Sequence, residues 1–220
     1  MTAAVVRILD GHLRRNPGFF LPSRDYEMAV AAALLHDSGY IKEVGDRRGT
    51  GAKFTILHVG RGAAFAGKFL QEFEVVPGDI ELVRRVILWT AFQGEAPPPP
   101  ESDVERLLGC VLGTGDLLGQ MASPRYPEKI AALYSEFYEA APYDPNGKIA
   151  SLASSAGELM RKTRGFWEGY ALPTLENAYR GVCHDLPWHF PDQQNRYFTR
   201  VEKNLEELDR LIDELDPPQA

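Results

Sequence analysis

The 220 residues are 44% hydrophobic and 25% charged, ordinary proportions for a globular chain, so disorder is excluded as the default state. A formal net charge of -7 excludes a general affinity for nucleic acid or an anionic bilayer, because both need a cationic face. Two cysteines, Cys110 and Cys183, lie far apart with no CxxC pair, which excludes a disulfide framework and a zinc ribbon and suits a reducing cytoplasm.

In chain order, nearly every periodic segment reads as helix. In "MTAAVVRILDGHLRR", Val5, Leu9 and Leu13 form a helical stripe, while Arg7 and Asp10 break any signal-peptide core. No later apolar run reaches bilayer length, so the chain is expected to be cytoplasmic, neither exported nor membrane-spanning. Residues 26–35 are alanine-rich, Phe65, Phe69 and Phe73 repeat at four, and Ile80, Val83, Ile87 and Leu88 fall on one helix face. Successive prolines make residues 94–103 a loop, after which Ser102 or Asp103 can cap a helix running from Val104 to about Met121. Gly109, Gly113 and Gly119 recur in that helix; glycine costs up to about 1 kcal/mol per helical position, so their clustering predicts close packing of neighbouring backbone.

Two more helical stretches follow, residues 127–140 and 149–179, the second expected to break near Arg164 and Gly165. "CHDLPWHFPDQQ" reads as a proline-bounded loop. Phe198, Val201, Leu205, Leu208, Ile212 and Leu215, with acids between them, give a surface helix docked by one face. No strand alternation is evident. The expectation is an all-α fold with a core over residues 1–141 and C-terminal helices over 142–220 packed on it as the same domain, residues 142–147 being the best seam.

Within this helical frame "AVAAALLHDSGYIKE" is anomalous. His36 and Asp37 end an apolar helix, and burying an imidazole beside a carboxylate costs free energy unless something binds them. A second histidine, His58, follows some twenty residues later, and Asp116 sits inside a later apolar helix. If these converge in a bundle, their imidazole and carboxylate donors suit Mg, Mn, Fe or Zn, and the cation offsets the burial.

"ALLHDSGY" and "GTGDLLGQMA" together resemble the doublet and distal Asp motifs of the HD superfamily of metal-dependent phosphohydrolases, and "GTGAKFTILHVGRGAAFAGKFL" resembles the segment that supplies a further His in bacterial members. The resemblance covers roughly the first 140 residues. It implies an HD-domain-like helical bundle with additional C-terminal helices, and one or two divalent ions (Mn, Fe, Mg or Zn) held by His36, Asp37, His58 and Asp116. The family's first His stands before the doublet. Here "MTAAVVRIL" is similar to the continuation of that motif with its beginning absent, so either the recorded start is late or a ligand is lost; His12 is the sole upstream substitute. The second His-Asp pair, His184 and Asp185, lacks an apolar helix before it and reads as structural.

The implied activity is metal-assisted hydrolysis of a nucleotide, cyclic nucleotide or other small phosphoester. Asp37 or Asp116 would orient the attacking water, His58 would ligate a second ion or protonate the leaving oxygen, and Lys53 and Arg61 would meet phosphate oxygens, with Lys42 nearby. The alternative is a degenerate HD-fold module that binds a metal or nucleotide without turnover. Expected partners are a small phosphorylated substrate, no nucleic acid and no membrane, with a homodimer admitted.

Overall fold

The computed structural model describes residues 1–91 and 97–215, and every regular element among them is helical. Helix α1 (Thr2–Arg15) buries Val5, Ile8 and Leu9, the stripe its spacing predicts, and α2 (Ser23–Leu35) turns Met28, Ala29, Ala32 and Ala33 inward. The chain then tightens into a 3-10 turn over His36–Tyr40. A second such turn, Gly51–Phe54, is capped by Thr50, whose hydroxyl accepts from the Ala52 N–H, and leads to α3 (His58–Gln71). Helix α4 (Pro77–Ile87) begins on a proline, whose fixed φ and missing N–H suit a helix start, and buries Ile80, Val83, Val86 and Ile87.

The phenylalanine repeat marks helix α3 but not its core face. That face is Val59, Ala63, Ala66 and Leu70, mostly small residues that let α3 lie close against the His36–Tyr40 turn and α4. The rings stand outside and stack on one another, with Phe65 and Phe69 centroids 5.8 Å apart.

Of the proline-rich stretch, residues 94–96 lie outside the described residues; 97–102 form no regular element, and the Ser102 side chain caps α5 (Asp103–Met121) by accepting from the Glu105 N–H. The glycines of α5 do mark close packing, though chiefly against side chains. A Cβ at Gly109 would collide with the Trp89 ring, one at Gly113 with the Tyr179 ring, and only at Gly119 is the obstacle backbone, that of Met1. Rings are rigid, so they need the same missing Cβ that a neighbouring helix would.

Helix α6 (Tyr126–Ala140) matches its expected span. The break expected at Arg164 and Gly165 does not occur: α7 (Ala156–Phe166) runs through both residues and widens into π-helical turns over Trp167–Ala171 and Thr174–Ala178. Pro173 accounts for the widening, because it offers no N–H to the ladder and its ring would clash with the carbonyl four residues back in a regular helix. Residues 149–155 form turns instead of helix.

"CHDLPWHF" is helical where a loop was predicted, as a 3-10 turn over Val182–Asp185 followed by α8 (Leu186–His189). The buried Asp185 carboxylate organises it by accepting from His12 Nδ1 at 2.7 Å and from Arg15 at 3.0 Å, which ties the segment to the end of α1. Helix α9 (Arg196–Leu215) buries Val201, Leu205 and Leu208, and its buried Asn204 amide donates to the carbonyls of Met121 and Ser123 at the end of α5. A single apolar cluster includes residues from Val5 to Leu208, so the C-terminal helices share the core of the preceding ones. Among the described residues no helix is long and apolar enough to cross a membrane.

Candidate metal centre

Three chain segments meet at one end of a cavity of about 1160 Å³: the His36–Tyr40 turn, the start of α3, and the middle of α5. The first is held in place by local chemistry. The Ser38 hydroxyl donates to the Leu35 carbonyl at 2.6 Å, satisfying a helix-end acceptor, and Gly39 lets the backbone rest on α3. A Cβ on Gly39 would strike the His58 carbonyl oxygen, and one on Gly62 would stand 2.5 Å from the His36 carbonyl oxygen. These two glycines therefore set the separation between the two histidines.

Each histidine is anchored by the same device. Nδ1 of His36 donates to the Ala33 carbonyl at 3.2 Å, and Nδ1 of His58 donates to the Thr55 carbonyl at 2.6 Å, while Tyr40 stacks on the His58 ring at 4.3 Å. An Nδ1–H committed to a carbonyl leaves Nε2 as the free end of the ring, which is how outer partners orient a metal-binding imidazole. From His36 Nε2 the distances are 3.1 Å to Asp37 Oδ2 and 3.5 Å to Asp116 Oδ1, and His58 Nε2 lies 3.9 Å from Asp37 Oδ1. Despite the short distances His36 Nε2, fully buried, has no partner in good hydrogen-bond geometry. Donors each about 2.1 Å from a common cation stand roughly 3 Å apart; the two spacings from His36 approach this, but the Asp37 and Asp116 oxygens lie more than 4.8 Å from each other, so a shared ion would have to draw them inward.

The four side chains form an open arc, not a closed cage. Among the described residues, the set whose donor atoms all lie within 4.8 Å of one another is Glu176, Cys183 and His184, outside the cavity. There, burial pushes the Cys183 thiol up to about 12, and His184 Nε2 is taken by Glu176 at 2.8 Å. That set has its own internal partners; the arc has the orphaned nitrogen.

Electrostatics at the arc favour charge. Burial works against the His36 imidazolium, but the Asp116 and Asp37 carboxylates outweigh it and hold its pKa up to about 9. Burial also works against the Asp37 carboxylate, and the adjacent His36 prevails and keeps it below the usual range. Glu136, reaching the cavity from α6, is raised by burial and by the charges of Asp37 and Glu139. With no metal bound, His36 is more basic folded than unfolded, so its contribution to stability is complete below about pH 6.5 and is lost as pH rises through about 9. The thermal midpoint of chelator-treated protein is expected to fall across that window, and to fall less in His36→Gln. Equal slopes in the two proteins would remove the imidazolium from the arc.

Four residues named from the sequence have other occupations. Lys53 Nζ pairs with Asp46 at 2.5 Å and donates to the Arg48 carbonyl, closing its own loop. Arg61 donates to the carbonyls of Gly39 and Ile41 and lies over the Phe54 ring at 3.9 Å, so it braces the His36–Tyr40 turn. Neither lines the cavity. His12 is bound to Asp185 and does not line it either. Lys42 donates to the Gly49 carbonyl. What the sequence did not announce is the rest of the cavity: Glu136, Lys162 and a wall of Leu117, Ile130, Leu133, Phe137, Leu159 and Phe166 drawn from α5, α6 and α7. Residues from helices so far apart in sequence leave no spacing signal.

The fold and site thus define an all-helical protein with a His and carboxylate arc lining a large, largely apolar cavity. The chain belongs to the Npun_R2479-like family, whose model matches residues 45–180. That span holds His58, Asp116 and the walls of the cavity, and begins after the His36 and Asp37 doublet. No curated protein and no solved structure matches the chain.

Proposed function

We propose that this protein is a metal-dependent phosphohydrolase of the HD type, acting on a small phosphoester. The observation that carries the reading is the buried, unpartnered Nε2 of His36, turned toward two carboxylates at 3.1 and 3.5 Å. A buried imidazole nitrogen this close to two carboxylates, yet without a hydrogen bond of good geometry, supplies a donor set that suits a divalent cation such as Mn, Fe, Mg or Zn. His36, Asp37 and Asp116 would hold it, with His58 available to a second ion. When bound, the ion supplies Lewis acidity toward a phosphoryl oxygen and a nucleophile active at neutral pH.

The chain's own groups supply the remainder. Asp37, between the two imidazoles, would orient a water and take its proton. His58, with Nδ1 fixed on Thr55, presents Nε2 as the group that can deliver a proton to a leaving oxygen. Tyr40 holds that ring flat and shields it on one side.

One alternative has an observation in its favour. With His12 tied to Asp185 and with Lys53 and Arg61 turned to other partners, a module that binds a metal or a phosphorylated ligand without turnover fits a leaner site. Loading the purified protein with Mn or Fe and assaying a phosphoester panel separates the two. Turnover that stops with a chelator and returns with metal is expected. Stoichiometric metal with no turnover of any ester contradicts the hydrolase reading and leaves the binding module.

A further inference from the structure

The cavity is far larger than the arc at its end. At about 1160 Å³ it exceeds the roughly 300–1,000 Å³ of ordinary small-molecule sites, so most of it must receive the part of a ligand that does not react. Two features of its lining say what that part is. Apart from the proposed metal ligands, the charged side chains that line it among the described residues are Glu136 and Lys162, the latter itself engaged by Glu158 at 2.6 Å and the Leu152 carbonyl at 2.9 Å. Beyond the arc, Leu117, Ile130, Leu133, Phe137, Leu159 and Phe166 supply a broad apolar wall, with the polar side chains of Tyr126, Thr163 and Tyr170 set among them.

A nucleoside triphosphate brings about four negative charges, and recognising it takes several cations or a cradle of backbone N–H groups beyond any bound metal. Apart from the proposed metal ligands, the described lining offers neither a cationic cluster nor a phosphate loop to hold the second and third phosphates. An alkyl or aryl body, by contrast, gains from every methylene it removes from water against such a wall.

Resting on the phosphohydrolase reading above, we propose that the substrate is a phosphate monoester of an apolar alcohol, its single phosphate at the His36 and Asp116 end and its hydrocarbon body along the α5, α6 and α7 wall. In the reaction a water oxygen bonds to phosphorus as the bond from phosphorus to the alcohol oxygen breaks. A proton of that water ends on the alcohol, and the products are free alcohol and inorganic phosphate.

The test uses the full chain loaded with manganese. Hydrolysis of ethyl, butyl and octyl phosphate and of ATP is followed by phosphorus NMR, and binding of ethyl- and octylphosphonate, which cannot be hydrolysed, by calorimetry. Burial of one methylene is worth about a threefold gain, so kcat/KM for octyl phosphate is expected to exceed that for ethyl phosphate by more than 100-fold and to exceed that for ATP, with phosphonate affinity rising in parallel. Leu133→Asp, at a half-buried wall position, is expected to cut the octyl advantage below tenfold. ATP turned over as well as octyl phosphate, or kcat/KM independent of chain length, overturns the assignment while the hydrolase stands. If nothing is hydrolysed but octylphosphonate still binds far more tightly than ethylphosphonate, the ligand class stands and the hydrolase reading falls.

Discussion

Replacing His36 by alanine is expected to strip the protein of bound manganese or iron and to lower turnover of any phosphoester it hydrolyses by well over 100-fold, with the fold retained. The magnitude follows from rank. Outer partners of a metal ligand cost about 10–100-fold when removed, and His36 is proposed as a ligand, the one whose Nε2 faces both carboxylates. The fold should survive because the imidazole is held by a single hydrogen bond, through Nδ1 to the Ala33 carbonyl, and its ion pairs reach the partly exposed carboxylates of Asp37 and Asp116 and not the apolar core. Metal content by elemental analysis and the melting curve, read together, check the expectation. Metal content equal to the unsubstituted protein's would exclude His36 as a ligand.

The second large effect is expected from Gly39→Ala, which adds one methyl group. At Gly39 the backbone of the 3-10 turn touches the His58 carbonyl oxygen, and no side chain can move aside because the obstacle is backbone on both sides. Accommodation must push the turn off α3, at a cost of about 3 kcal/mol, the upper end of ordinary overpacking. For a chain of this size that is a fall in melting temperature of roughly 6–12 °C. The same displacement separates His36 and Asp37 from His58, so metal binding should weaken along with stability. Thermal denaturation with and without manganese reads both, and an unshifted midpoint would mean that the contact between the turn and α3 does not hold the site together.

The helical class was legible because its signal is local. Apolar positions at 3.6-residue spacing in α1 and α4, and the serine before α5, act within one element, and they place those helices closely. The arc was legible for a related reason: a His and Asp at the end of an apolar helix, and an Asp within another, are out of place unless they are bound. Errors arose where partners outside a residue's own helical turn decide. Lys53 and Arg61 looked free for phosphate, but unpaired carbonyls of the nearby turns and Asp46 take them first. Gly165 looked like a helix stop, yet the true irregularity is the proline eight residues later, which widens the helix without ending it. The four-residue repeat of Phe65, Phe69 and Phe73 marked the helix but not which face is buried, because α3 needs a small-residue face to approach the His36–Tyr40 turn. Glu136, Lys162 and the apolar wall carried no local signal, since α6 and α7 meet the arc only through tertiary packing.

The central claim is that the side chains at 36, 37, 58 and 116 hold a divalent cation. The most direct measurement is a crystal grown with manganese and recorded above the manganese absorption edge. An anomalous peak within about 2.5 Å of both His36 Nε2 and an Asp116 oxygen is the expected result. A map with no peak at that end of the cavity, or with manganese only beside Glu176 and His184, would contradict it.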